Sequence, residues 1–131
     1  LKTIGTGALK GTGLRTIEIP KSVFWLGDGL LADCQSMEHV TIPENIGRIP
    51  DRMFEGCTSL KKVELHEKLG AIGERAFFGC SSLDFIVIPD SVKQIGQDAF
   101  TNTDKQFIIQ CSFGSYAEEY ARKNKFKYQL V

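Results

Sequence analysis

Apolar residues recur at a fixed interval of 23 residues along most of this 131-residue chain. The clearest columns begin at Leu14, Ile17, Ile19, Val23 and Leu26, and each is followed by an apolar residue at three further intervals. A unit of this length cannot enclose a core of its own, so neighbouring units must stack and cover one another's apolar faces. The sequence therefore predicts a solenoid rather than a globule with one central core.

Each unit divides into a strand half and a turn half. Ile17, Glu18 and Ile19 alternate apolar and polar side chains, which is the period of a half-buried strand. Most units then place a proline, which has no N–H to donate to a neighbouring strand and therefore ends the pairing. The turn half carries an Ala-Phe pair on a short helical or 3-10 turn, closed by Gly56 or Gly79 in the left-handed conformation. Stacking then gives a parallel sheet on one face, with strands about 4.8 Å apart, and turns on the other.

The two ends of the chain differ from its middle. Residues 14–105 hold four full repeats, and residues 1–13 match only the turn half of a repeat. Residues 106–131 contain a strand, a helix opened by a capping box of Ser115 and Glu118, and a short final strand that caps the array. We expect one domain that is a fragment of a longer array, with an open N-terminal end that would permit self-association.

Composition argues against several classes of function. Lys and Arg total 16 and so do Asp and Glu, so the chain has no basic excess with which to bind nucleic acid or an anionic membrane. No apolar run approaches the roughly 18 residues of a membrane span. His39 and His66 occupy different places in their repeats, and neither belongs to a motif that supplies a nucleophile. We expect no catalytic residue, no cofactor and no enzyme activity.

Three of the four cysteines fall in one column. Cys34, Cys57 and Cys80 are spaced 23 residues apart, whereas a metal site would need two close pairs. Disulfides between stacked neighbours are disfavoured, because the repeat spacing of about 4.8 Å exceeds the Cβ separation of about 3.8 Å in a disulfide. We predict a ladder of buried free thiols, no metal site, and a buried Cys111.

One unit shows a more specific pattern, in which Ile72-Gly73, Ala76-Phe77 and Gly79-Cys80 follow the strand. With the terminal segment 114–126, this pattern resembles the 23-residue repeat and closing segment of the BspA-like leucine-rich repeat family. The resemblance implies a curved, right-handed leucine-rich repeat solenoid, which occurs mostly in bacterial surface or secreted proteins. Family members of known role are adhesins and binding proteins, which implies an extracellular or cell-surface location.

Three positions depart from the family pattern. His66 replaces the proline that ends the strand in other repeats. Asp33 and Asn102 replace the glycine of the turn. These changes fall on single positions of otherwise regular units, so they leave the resemblance intact.

The outward side of the stacked strands is the usual binding surface of a solenoid. Alternation places Phe85, Val87 and Ile108 on this side in two adjacent strands. Contiguous exposed apolar side chains indicate an interface. The alternative is that the closing segment, through Tyr128 or Leu130, folds over these three residues and makes them part of the core.

Two further groups are candidates for partner contact. His39, Lys62 and Glu64 occupy outward strand positions in the earlier repeats. Phe24 and Trp25 form an aromatic pair where the other repeats carry small or polar residues. The pair is either a ligand anchor, since aromatic residues are enriched at binding hot spots, or a contact with a repeat further upstream.

These observations favour a non-catalytic binding or adhesion module that recognises a macromolecule through its strand face. The expected partner is a protein, with a glycan as a second possibility. The alternatives are a structural spacer that displays another domain and, less favoured, an accessory domain of a larger surface enzyme.

Overall fold

The computed structural model describes all residues from Leu1 to Val131 and consists of short parallel strands with one helix near the C-terminus. The strands and the helix follow in this order: β1 Thr3–Ile4, β2 Thr16–Ile17, β3 Trp25–Leu26, β4 His39–Thr41, β5 Arg48–Ile49, β6 Lys62–Glu64, β7 Ala71–Ile72, β8 Phe85–Val87, β9 Gln94–Ile95, β10 Ile108–Cys111, α1 Tyr116–Lys123 and β11 Lys127–Leu130.

Each full repeat contributes two strands, and these build two separate ladders. The strand face comprises the sheets β2-β4-β6 and β8-β10-β11, and the second ladder comprises β1-β3 and β5-β7-β9. All pairs are parallel, and Thr16, His39 and Lys62 align across the first sheet, so the register follows the 23-residue repeat. The solenoid and its strand face were predicted, whereas the second ladder was not, because two-residue strands leave no alternation to detect.

The turn half of each repeat is held by two kinds of hydrogen bond. The N–H groups of Glu55 and Cys57 donate to the carbonyls three residues earlier, at 3.2 and 3.0 Å, which is the spacing of a 3-10 helix. Between them, the N–H groups of Phe54 and Gly56 donate to carbonyls of the next repeat at 2.8 Å. Each turn is therefore tied both to itself and to its neighbour.

The left-handed position of the turn is occupied as predicted. Gly56 and Gly79 both have a φ of 77°. Asp33 and Asn102 take the same place in their repeats with φ values of 58° and 60°. Aspartate and asparagine are among the few other residues that tolerate this conformation, so the two departures from glycine preserve the turn.

The core is a single continuous cluster of 33 buried residues inside the stack. Its centre is an aromatic column in which Phe54, Phe77 and Phe100 stack with ring centroids 5.2 Å apart. Phe107 continues the stack at 5.3 Å from Phe100. The predicted apolar columns are largely buried, and Leu14, at the upstream end, is the clearest exception at 40% exposure.

Cysteines form the predicted buried ladder and also have a bonding role. Cys34, Cys57 and Cys80 are free and fully buried, and each thiol donates to a backbone carbonyl of the preceding repeat at 3.0 to 3.1 Å. Burial raises the pKa of Cys57 to about 12. Thr103 occupies the same column one repeat later, and its hydroxyl donates instead to the carbonyl of Phe100 in its own repeat, at 3.1 Å. All four positions of the column therefore hold a small side chain that donates a hydrogen bond to a backbone carbonyl.

The second ladder is interrupted between β3 and β5, and Pro50 supplies the reason. Gly73 and Gly96 donate their N–H groups to the preceding repeat at 2.8 Å, and Gly27 does the same. Pro50 holds the equivalent place and has no N–H to donate. The ladder therefore ends at β3 and starts again at β5.

Helix α1 and strand β11 cap the last repeat, as the sequence predicted. The hydroxyl of Ser115 accepts from the N–H of Glu118 at 3.2 Å, and the carboxylate of Glu118 accepts from the N–H of Gly114 at 2.8 Å. Ala117 and Ala121 are buried on the inner side of the helix. Small side chains on that side let the helix pack closely against the solenoid. No helix of this chain has the length and apolar character needed to cross a bilayer.

Candidate protein-binding surface

The upstream half of the strand face is a polar, hydrogen-bonded surface. Glu64 accepts from the hydroxyl of Thr41 at 2.9 Å and lies 3.2 Å from the ammonium of Lys62 and 3.9 Å from the imidazole of His39. The Thr41 hydrogen bond, followed by that from Lys62, holds the pKa of Glu64 below its usual range. Three of the predicted candidates, His39, Lys62 and Glu64, thus form one cluster, and the carboxylate of Glu64 lies at its centre.

The downstream half of the strand face carries the apolar patch of Phe85, Val87 and Ile108. Phe85 aligns with Ile108 in the β8-β10 pair, and Val87 lies two residues further along β8. Val87 is 46% exposed, and the other two are half-buried. The structure therefore brings the three residues together on the outward side, next to the polar half.

The closing strand β11 borders this patch and leaves it open. Lys127 aligns with Ile108 on the outward side, beside the patch. Tyr128 and Leu130 align instead with Ile109 and Cys111, which are buried, so they belong to the opposite side of the sheet. The alternative that Tyr128 or Leu130 folds over the patch is wrong, because the register of β11 gives the outward positions to Lys127 and Gln129.

The aromatic pair lies elsewhere on the molecule. Trp25 is in β3 of the second ladder and is 50% exposed, and Phe24, just before it, is 56% exposed. Strand β1 already pairs with β3 on its upstream side, with Thr3 aligned with Trp25, and both aromatic rings remain open to solvent. The structure thus separates Phe24 and Trp25 from the strand face.

A groove that the sequence did not predict lies at the carboxyl ends of β2, β4 and β6. This strand-end groove has a volume of about 930 Å³ and is lined by residues from three successive repeats: Ile17, Glu18, Ile19, Lys21, Thr41, Ile42, Pro43, Glu44, Asn45, Glu64, Leu65 and His66. One signal in the sequence coincides with it, since His66 replaces the proline of the other repeats. The groove adjoins the polar cluster through Glu64.

The side chains that most often bind metals or act as nucleophiles are dispersed or buried in this chain. No three side chains of His, Cys, Asp or Glu are grouped closely enough to hold a metal ion. The four thiols are buried, and those of Cys57 and Cys80 have pKa values raised by burial, so they are poor nucleophiles at neutral pH.

Solved structures of bacterial repeat proteins resemble this chain. A leucine rich cell surface protein from Faecalibacterium prausnitzii matches 92% of the chain with a TM-score of 0.83 and 30% identity, and a leucine rich repeat protein from T. pallidum matches 84% with a TM-score of 0.79 and 28% identity. A leucine-rich repeat protein from Bacteroides ovatus, with 23% identity over 100% of the chain and a TM-score of 0.59, shares the fold. This chain spans 32%, 52% and 46% of the lengths of these three structures.

The sequence itself matches a family profile over almost its full length. Residues 1–121 match the BspA type leucine rich repeat region in six copies. Curated proteins give no match. With its 23-residue register, its ladder of parallel strands and this match, the chain belongs to the BspA type leucine-rich repeat family.

Proposed function

We propose that this chain is a non-catalytic binding module that recognises a protein partner through its strand face. The observation that carries the proposal is the apolar patch of Phe85, Val87 and Ile108. The aligned outward positions upstream hold Thr16, His39 and Lys62 or other polar residues, so the fold itself does not require apolar side chains there. Grouped apolar side chains that are wholly or partly open to solvent, at positions where the fold accepts polar residues, are typical of interaction sites.

The surroundings of the patch suit a protein interface. An apolar centre stabilises a complex by about 25 cal/mol for each Å² removed from water. Polar residues flank the patch on both sides, with Lys62 and Glu64 on the neighbouring strand β6 and Lys127 on β11. They supply the polar rim that protein interfaces carry. Repeat proteins of this class typically bind proteins or act as scaffolds.

The proposal includes a location at the cell surface. Its support is the family and the F. prausnitzii neighbour, which is described as a cell surface protein. Antibody labelling of intact cells of the source organism, with and without protease treatment, would test this. A surface location predicts that intact cells bind the antibody and that protease treatment removes this binding. Antibody binding that appears only after the cells are lysed, and that protease treatment of intact cells does not reduce, would contradict a surface location.

The binding proposal is tested by reversing the character of the patch. The double variant Phe85→Asp with Val87→Lys should lose partner capture in pull-downs from extracellular protein extracts, quantified by mass spectrometry. Its unfolding free energy should remain within about 1 kcal/mol of wild type, as is usual for surface changes. The matched control is Gln94→Asp with Gln97→Lys, which adds the same two charges at exposed positions outside the strand face.

Each outcome of this experiment decides something. Loss of a captured protein in the patch variant alone supports the proposal. Equal capture by wild type, patch variant and control would move the site away from the patch. Absence of any protein captured by wild type above a blank resin would favour the spacer function, and binding of wild type to a glycan array with no captured protein would replace protein by glycan as the partner class.

A further inference from the structure

The last strand of the strand face, β11, has an open edge. It pairs with β10 on one side and with no strand on the other. All four of its residues are exposed, whereas β10, which has a strand on both sides, alternates half-buried and buried residues. Proteins often protect such an edge from other chains with a proline, a bulge or a charged side chain that points inward. The inward side chains of β11 are Tyr128 and Leu130, and its register with β10 is continuous, so these protections are absent.

The backbone hydrogen bonds show which groups of this edge are free. Val131 donates its N–H to the carbonyl of Cys111 at 2.9 Å, and in a parallel sheet alternate residues of a strand bond to opposite sides. The N–H and carbonyl groups of Tyr128 and Leu130 therefore point away from β10, along the open edge. In earlier repeats the N–H groups of Ile42 and Ile88, which are equivalent to that of Leu130, donate to the next strand at 2.9 Å.

These free groups match those of the same strand in a second copy of the chain. Two β11 strands related by a two-fold axis run antiparallel, and an axis at Gln129 places each Tyr128 opposite Leu130 of the second copy. Opposed residues whose N–H and carbonyl groups face one another exchange both hydrogen bonds, so the two Tyr128–Leu130 pairs give four hydrogen bonds. An axis at Tyr128 would instead place Leu130 opposite Phe126, whose N–H already donates to the carbonyl of Ala121.

The side chains are complementary in the same register. On the inward side Tyr128, which is 38% exposed, would pack beside Leu130 of the second copy, which is 46% exposed. Such cross-strand pairs of an aromatic and an apolar side chain stabilise antiparallel strands. On the outward side Gln129 faces Gln129, and Lys127 faces Val131. The two Lys127 residues would be about 14 Å apart along the strands, which exceeds the screening length of about 8 Å at physiological salt, so like charges are kept apart.

We propose that two copies of this chain form a dimer by antiparallel pairing of their β11 strands about a two-fold axis at Gln129. The occupant of the open edge is thus a second copy, because β11 is complementary to itself in its free backbone groups, its apolar side chains and the spacing of its charges. A single edge of four residues buries less than the roughly 1,200 Å² of stable interfaces, so the dimer is reversible, with a dissociation constant in the micromolar range.

The dimer goes beyond the proposed binding function and does not depend on it. Pairing joins the two strand faces into one sheet in which β8, β10 and β11 of one copy continue into β11, β10 and β8 of the other. The two β10 strands would then be three strand spacings apart, or about 14 Å. Both apolar patches would lie on one face, so a partner with two matching sites would bind the dimer more tightly than the monomer.

Sedimentation velocity of the full chain tests for the dimer. Wild type should shift from monomer to dimer between about 5 and about 500 μM, the range expected for a small interface. Leu130→Pro removes a free N–H and places a proline ring at the open edge, so this variant should stay monomeric. The control is Glu18→Pro at the upstream end of the strand face, where the N–H also makes no hydrogen bond within the chain, and it should dimerise as wild type does. Thermal melting checks that both variants are folded.

A cysteine cross-link tests the register without relying on proline. The two Cα atoms at position 129 would lie about 4.5 Å apart across the axis, which is within the range of a disulfide. Gln129→Cys should therefore give a covalent dimer on mild oxidation, seen on a non-reducing gel. Lys127→Cys is the matched control, because its two copies would be about 14 Å apart and should not cross-link. The native cysteines are buried and should not contribute.

Several results would overturn the dimer, and they are separate from a failure of the binding function. Wild type that is monomeric at about 500 μM, where a micromolar dimer would be populated, contradicts the proposal, as does an unchanged dimer in Leu130→Pro. Equal cross-linking of the two cysteine variants, or none in Gln129→Cys, contradicts the register, and head-to-tail pairing of β11 with β2 predicts the latter result. Phe85→Asp with Val87→Lys leaves β11 intact, so its loss of partner capture tests the patch alone.

Discussion

The substitution Phe77→Ala should strongly destabilise the fold, because this ring is the centre of the aromatic column. Phe77 is fully buried and stacks on Phe54 and on Phe100 at 5.2 Å, with ring planes inclined by 17° and 6°. Burying a phenylalanine side chain contributes about 2 kcal/mol, and each of two ring pairs adds about 1 kcal/mol. The expected loss of about 4 kcal/mol lies within the range of about 3 to 5 kcal/mol for such truncations.

Urea unfolding followed by circular dichroism gives the free energy of unfolding directly. A loss of about 4 kcal/mol should also lower the melting temperature by about 15 °C for a chain of this size. Phe54→Ala is the matched comparison, because Phe54 stacks on only one phenylalanine ring. Its loss should be smaller by about one ring pair, or about 1 kcal/mol.

The order of the two losses is what tests the reasoning. A melting temperature of Phe77→Ala equal to that of wild type would refute the stacked register. A larger loss for Phe54→Ala than for Phe77→Ala would show that stacking between repeats does not govern the core.

Three further predictions concern the thiol ladder and the glycines. Cys57 should resist alkylation by iodoacetamide in the native state and react after denaturation, as shown by mass spectrometry. The free energy of unfolding should fall as the pH rises above about 9, because the unfolded chain then ionises Cys57 and Cys80, whose raised pKa values keep them protonated when folded. Gly73→Ala should lower the melting temperature, since its Cβ would lie 2.6 Å from the backbone N of Asp51, whereas Gly47→Ala, which meets open space, should not.

The sequence alone was sufficient for the stacking pattern. Repetition at 23 residues fixes which side chains share a column, and Val40, Val63 and Ile86 are buried as that column requires. The left-handed turn at Gly56 and the capping residue Ser115 were also predictable, because both depend on local backbone chemistry. Backbone preferences of single residues and the 23-residue period are therefore enough to predict the structure wherever a repeat packs against a repeat of the same pattern.

The sequence predicted which side of the sheet the candidate binding residues occupy. Which other residues lie beside or over them became clear only from the structure. Alternation placed Phe85, Val87 and Ile108 outward, but the register of β11 decided that Tyr128 does not cover them. A strand shifted by a single residue would have exchanged its two faces, and the short sequence of β11 does not specify that register.

Departures from the repeat were decided by tertiary structure. Pro50 interrupts the second ladder because a hydrogen bond between repeats needs an N–H at that place, and this requirement appears only once the strands are paired. The hydrogen bond between the ring of His66 and the carbonyl of Ile46, 20 residues away, likewise exists only in the folded chain. The period determined the solenoid, because every repeat obeys it. The groove and the open patch depend on contacts between residues that break the period, and only the folded chain brings those residues together.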